Sequence, residues 1–445
     1  MVLPSLRRCP IKAYGQLYSI PHCICSVIRR TKHTGLGVRI LLCGITGVAA
    51  RLHRMNLEPA GMHPLPRAIA VEEAGILVER VHLEPPHPYR TPFARDSARV
   101  LHARAFRRLA GKTQVFARLA DDPPGDHFRS RLTHTLEVTQ IARTLAHALG
   151  LNVDMAEALA LAHDIGHPPF GHAGEKVLDH ALQSHGLRFD HNLHALRIVT
   201  WFEERYPAFR GLNLTLGVRE GIIKHSRDYS AAEHPELGEY FLDAFPPLEA
   251  QLIDLADEIA YLTADLDDGL DSGILTVEQV HENVPLFRGF HDAARRAYPN
   301  AAPRLAVYDA LRRMLNAFVS DLLAEVRRRV AALGAATAGE MTLDAIRNAP
   351  ERLAAFSAET EAARAAAKQF LYDNFYNSRD MDEVHAHGER VVKELFAALM
   401  AEPELMPEDH QAQIESQGLA RTVTDYIAGM TDSYIEQLWA RCTAR

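Results

Sequence analysis

Acidic residues are missing from the first 57 positions, and cysteine is almost missing from everything after them. Cys9, Cys23, Cys25 and Cys43 precede Glu58, the first acidic residue, and only Cys442 follows it. A disulfide framework is therefore excluded for the main body, and a reducing cytoplasm fits. Cys23-x-Cys25 is not a zinc spacing, and no second close pair accompanies it. Long apolar runs are also lacking. The best early one, Ile40–Ala50, falls short of the ~20 residues that span a bilayer and begins too late for a secretory signal. Aromatics make up 7% of the chain with two tryptophans, no glycine period is present, and hydrophobic residues reach 47%, so collagen-like and disordered classes are excluded. Strand-like alternation is scarce, and there is no repeat of fixed period.

What is present is divided unevenly. Residues 1–57 hold nine basic residues, which leaves 40 basic against 57 acidic residues, a balance of −17, for 58–445. The leader is expected to be upstream sequence translated from an early start, with Met55 or Met62 opening the working protein. A transit peptide and a basic arm are the alternatives. Removing residues 1–54 is expected to leave activity intact. Residues 58–92 are proline-rich and read as a connecting arm.

From about Ser97 the pattern turns helical, rich in Ala, Leu, Glu and Arg. Arg131–Leu149 reads as a helix closed by Gly150. Asp154 and Glu157 are spaced as a capping box for the next helix, which stops before Gly166. Leu252 to Leu266 marks another, and amphipathic segments are expected near 303–333, 351–376, 380–401 and 411–440. The expected class is all-α, with a core over 93–275 and a helical C-terminal region over 276–445.

Ten of the 24 histidines fall between His127 and His194, a crowding that a scatter of surface residues does not explain. Within it, the apolar run from Ala158 ends in His163-Asp164. A buried carboxylate needs a cation or strong donor, and imidazole with carboxylate suits a divalent metal. His134 shares a helical stripe with Val138, Ile141 and Leu145 and should face inward. Asp257, Tyr261 and Asp265 recur every four residues on one helical face, which reads equally as a ligand face or a solvated acidic one. Gly166-His-Pro-Pro-Phe-Gly-His172 follows as a tight loop, and Glu175 lies one turn beyond His172, where it can fix the imidazole tautomer.

Arg90–Asp96, Ala105–Phe116, Arg129–Val138, His163–His172 and Ala256–Tyr261, in this order, together resemble the bacterial deoxyguanosinetriphosphate triphosphohydrolase (dGTPase) family of the HD-domain phosphohydrolases. Phe370–Tyr376 is similar to that family's C-terminal half. The resemblance covers about 90–385. It implies hydrolysis of a dNTP to deoxynucleoside and inorganic triphosphate, with a divalent metal (magnesium or manganese first, then iron, cobalt, nickel or zinc) on His134, His163, Asp164 and Asp257. His172 would be the catalytic imidazole, oriented by Glu175. Arg131, His167 and His191, with Lys224 as a further candidate, would contact the triphosphate. Gln114, Tyr261 and Asp265 would contact the deoxyribose. A homo-oligomer, a second dNTP as allosteric activator and single-stranded DNA binding are implied partners, with no membrane. The competing readings are an HD phosphohydrolase for another nucleotide phosphate ester and a non-catalytic nucleotide- or DNA-binding regulator.

Overall fold

The computed structural model describes residues 64–115, 129–336 and 341–443. The basic leader, its four cysteines and His127 lie outside the described residues. Every described residue falls within one unit, Ile45–Arg445. The class is all-α. Among the described residues there is no strand, only isolated bridges such as Thr113 with Ser130. No described helix is long and apolar enough to cross a membrane.

The proline-rich stretch does more than connect. Ile69, Val71 and Leu77 are buried in the main core, and the Val71 amide donates to buried Glu249 at 2.9 Å. Helix α1, Pro92–Leu101, opens with Thr91, whose side chain accepts from the Ala94 amide, and with proline in the first turn. Helix α2, Arg131–Leu149, has the bounds its periodicity predicts. Ser130 caps its start, and Gly150 closes it in the left-handed region at φ 76°, where a β-carbon would also lie 2.6 Å from Pro64. Helix α3, Val153–Ala162, is capped by Asn152, which accepts from the Met155 amide. The Asp154/Glu157 capping box does not form. Asp154 already lies inside the first turn and instead accepts from the Thr91 hydroxyl at 2.8 Å, while Glu157 pairs with Arg143.

Helix α3 is buried on nearly all sides, packed against α1, α2 and α7, Leu248–Asp271. Between α3 and α7 come α4 (Gly171–Gln183), α5 (His191–Arg197) and α6 (Leu216–Ile223). After α7, Val277–Asn283 (α8) and Pro285–Ala297 (α9) form a helical pair, and Pro303–Ala336 is the long α10. The segment expected near 351–376 begins only at Ala358. Before it, the Leu353 and Ala354 amides donate to Gln251, which holds the chain off a helical path. Helix α11, Ala358–Leu371, then ends in a π turn, Tyr372–Tyr376. Helix α12 is Arg379–Ala401, and the last expected segment is broken, its main pieces being α13 (Leu419–Ala428) and α14 (Asp432–Thr443).

Among the described residues two large apolar cores result, with a small third cluster of Leu216, Ile223, Leu237 and Tyr240. The larger runs from Ile69 to Phe375. The smaller joins Leu178, Leu182 and Phe189 to residues of α12, α13 and α14. Helix α4 thus carries catalytic-type residues on one side and rests its apolar face on the C-terminal helices.

Candidate metal and phosphate site

The site forms where the C-terminal end of α3 meets α2 and α7. His134 on α2 is 1% exposed, along the same stripe as Val138, Ile141 and Leu145. Its Nε2 lies 2.8 Å from Asp257 Oδ1 on α7. His163 closes α3, and its Nδ1 is 2.7 Å from the Ala160 carbonyl. A carbonyl accepts only, so Nδ1 carries the proton and Nε2 presents a lone pair. That Nε2 is buried with no hydrogen-bond partner, 3.7 Å from Asp164 Oδ2 and 3.9 Å from Asp257 Oδ1. One ligand atom each from His134, His163 and Asp164 lies within 4.8 Å of the others. Two imidazoles and two carboxylates, with His163 Nε2 left unpaired among the carboxylates and His134 Nδ1 unpaired behind, fit a divalent cation. The direct contact between His134 and Asp257 partly satisfies the same charges.

Electrostatics follow from this crowding. Burial opposes the charge on Asp164, but the Arg131 guanidinium, 2.9 Å away, holds its carboxyl well below the usual range. Asp257 is likewise held low against its burial, mainly by the His134 hydrogen bond. Burial pushes His163 down and keeps its imidazole neutral, as a ligand must be.

The Gly/Pro loop then turns into α4 through two left-handed residues, Phe170 (φ 59°) and Gly171 (φ 54°). A β-carbon on Gly171 would sit 2.9 Å from Arg131 Nη2, and one on Gly166 would run into the His191 carbonyl. His167 is buried, with Nδ1 2.9 Å from Asp164 Oδ1, and its ring stacks on His191 at 4.0 Å. Burial, then Arg131, depresses His167 strongly. His172 projects outward, its side chain 84% exposed, with Nδ1 3.5 Å from Glu175. Glu175 holds His191 more closely, accepting from its backbone amide at 3.1 Å and meeting its Nδ1 at 3.0 Å.

Lys224 does not join this group. Its ammonium is taken up by Glu220 and the carbonyls of Phe241 and Ala244, because it sits on the buried end of α6 beside those groups. Gln114 adjoins the undescribed 116–128, and its Oε1 is buried without a partner. The acidic face of α7 is not solvated. Arg129 pairs with Asp267 and Asp268, and Glu258 accepts from Tyr261 at 2.9 Å and pairs with Arg364. Asp265 accepts from the Tyr376 hydroxyl at the end of the π turn, and burial pushes its carboxyl up to about 7.

Four contributors escaped the sequence reading. His225, directly after Lys224, lies 5.3 Å ring to ring from His163 and is bound through Nδ1 to Asp254 at 2.7 Å. Tyr376 was visible only as part of a C-terminal block. Lys112 is buried, donating to the His167 and Ala428 carbonyls. Asp432, at the start of α14, accepts from the Phe170 and Thr113 amides and the Thr113 hydroxyl. These last two tie the loop to the C-terminal helices.

Residues 131–262 match the HD domain, and residues 354–441 match the phosphohydrolase-associated domain. The first match takes in His134, His163, Asp164 and Asp257, and the two domains together define an HD-domain phosphohydrolase. More narrowly, the chain is 46% identical over 359 residues to the deoxyguanosinetriphosphate triphosphohydrolase-like protein of Bordetella pertussis, covering 80% of this chain and 90% of that one. It is 46% identical over 356 residues to the protein of the same name in Thiobacillus denitrificans, covering 80% and 91%. The like-named Brucella ovis protein is 41% identical over 397 residues, covering 85% and 96%. The chain belongs to the deoxyguanosinetriphosphate triphosphohydrolase-like family of HD-domain proteins.

Proposed function

We propose that the chain is a metal-dependent deoxynucleoside triphosphate triphosphohydrolase, releasing deoxynucleoside and inorganic triphosphate. The observation that carries this is the buried His134/His163/Asp164/Asp257 set, with an unpaired His163 Nε2, directly beside Arg131 and the His167/His191 stack. Those four residues would hold the divalent ion, which when bound supplies charge neutralisation and lowers the pKa of water. Arg131 would meet a phosphate oxygen through its outward nitrogen while its other arm stays on Asp164. His167 and His191 would face the remaining phosphates, His167 donating through Nε2 only once the polyanion's charge protonates its imidazole. His172, exposed beside them, would hand a proton to the departing 5′ oxygen. The unpartnered Gln114 Oε1, with Tyr261 and Asp265, would meet the sugar.

The name shared by the relatives favours this substrate over other phosphate esters. Each of the four dNTPs, their monophosphates and GTP should be supplied with magnesium or manganese, singly and mixed, and nucleoside release measured. Mixing tests whether a second nucleotide activates. Turnover of at least one dNTP, and none of GTP, is expected. Turnover confined to monophosphates would reject the reading.

A further inference from the structure

A second group of metal-type side chains lies outside the candidate active site, on the α8/α9 pair. Val284 serves as both the C-cap of α8 and the N-cap of α9, so the two helices meet with no loop between them. The bend sets His281 of α8 against His291 and Asp292 of α9. His281 Nε2 lies 2.8 Å from Asp292 Oδ1. The His281 and His291 rings are 5.7 Å apart, and one ligand atom from each of the three residues lies within 4.8 Å of the others. His291 is held by stacking on Phe287, one turn back, at 5.4 Å and 13°; Phe287 itself is fully buried. The Nδ1 atom of His291 is buried with no hydrogen-bond partner. An unpaired buried nitrogen costs free energy that a ligand bond removes.

We propose that His281, His291 and Asp292 form a second cation site, selective for a borderline transition metal such as zinc, cobalt or nickel. Two imidazoles and one carboxylate favour these ions over magnesium, which takes oxygen ligands in octahedral geometry. Zinc bonds to nitrogen and carboxylate oxygen are about 2.0–2.2 Å, so the His281–Asp292 pair, now 2.8 Å apart, would open slightly to admit the ion, with His291 and solvent or exposed Glu278 completing the shell. The ion would staple α8 to α9, a structural role that does not depend on the reaction proposed above. His281, His291 and Asp292 belong to none of the groups assigned to that reaction.

Full-length parent, His163→Ala, His291→Gln and the His163→Ala/His291→Gln double variant should be equilibrated with buffered micromolar Zn²⁺ and their bound zinc counted. His291→Gln should hold one equivalent less than the parent, and the double variant one less than His163→Ala. Zn²⁺ should raise the melting temperature of His163→Ala but not of the double variant. Turnover of a dNTP with magnesium, in the absence of zinc, should be unchanged in His291→Gln. Asp292→Asn, which keeps an acceptor for His281, guards against misfolding and should weaken the same equivalent at least tenfold. Equal zinc counts with and without His291, or a difference seen only at millimolar Zn²⁺, would overturn the proposal.

Discussion

His163 and His172 are separated by nine positions yet are proposed for opposite work, and burial is what separates them. His163 is buried, and its free nitrogen points among carboxylates. His163→Ala is expected to abolish metal binding at the His134/His163/Asp164/Asp257 set, and turnover with it, while leaving helicity unchanged, checked by magnesium or manganese titration and circular dichroism. His172 is 84% exposed, so His172→Ala should keep the metal and the melting temperature but lose most of the rate; contributions of ~10²–10⁴ are typical for a general acid. Asp265 yields a pH prediction. Burial raises its carboxyl from 3.8 to about 7, so the native state holds the proton more tightly than the unfolded chain. The stability this gives is fully present below the unfolded value and is lost as pH rises through the folded one. In metal-free protein, Asp265→Asn should therefore melt above the parent at pH 8 and level with it near pH 4. A constant difference across that range would remove Asp265 from the account. His134 and its inward stripe were legible from helical period alone. Lys224 was not, because nothing local shows that its ammonium turns to the Phe241 and Ala244 carbonyls.

Elements were legible where their signals are local. Helix α2 ends at Gly150 as its pattern requires, since a left-handed residue there needs no β-carbon. The start of α3 was misplaced because Asn152 and Asp154 are both good caps, and only the Thr91 contact commits Asp154 elsewhere. The loop between α3 and α4 shows what sequence cannot supply. Its glycines announce a tight turn, but the groups that fix it are far away, with Asp432 319 positions from Thr113. Asp432→Ala would leave the half-buried Phe170 and Thr113 donors without their acceptor, a cost of about 1 kcal/mol per lost hydrogen bond where water can partly replace it. A lower kcat with near-normal metal affinity is expected, read by steady-state kinetics beside metal titration. Unchanged kcat would mean that the loop holds itself.

Across the whole molecule, the net −8 of the chain describes neither the basic leader nor the −17 body. A polyanionic substrate must be met by a few placed donors within an acidic protein, and Arg131, His167 and His191 are grouped beside the carboxylates in that way. The C-terminal helices are part of this arrangement. Leu178 and Leu182 of α4 are buried against them, and Lys112 joins the His167 carbonyl to Ala428. A chain ending at residue 350 should therefore expose the apolar face of α4 and be recovered as aggregate, measured by size-exclusion chromatography; a soluble, active truncation would show that α4 does not need its second core. The overall architecture was legible because helical periodicity is strong and motif order was preserved. The coupling of the C-terminal half to the loop was not, because it rests on contacts between residues hundreds of positions apart. The most direct test of the central claim is the identity of the phosphate product from a hydrolysed dNTP, resolved by ion exchange or ³¹P NMR. The account predicts inorganic triphosphate equimolar with deoxynucleoside, and orthophosphate or pyrophosphate as the sole product would contradict it.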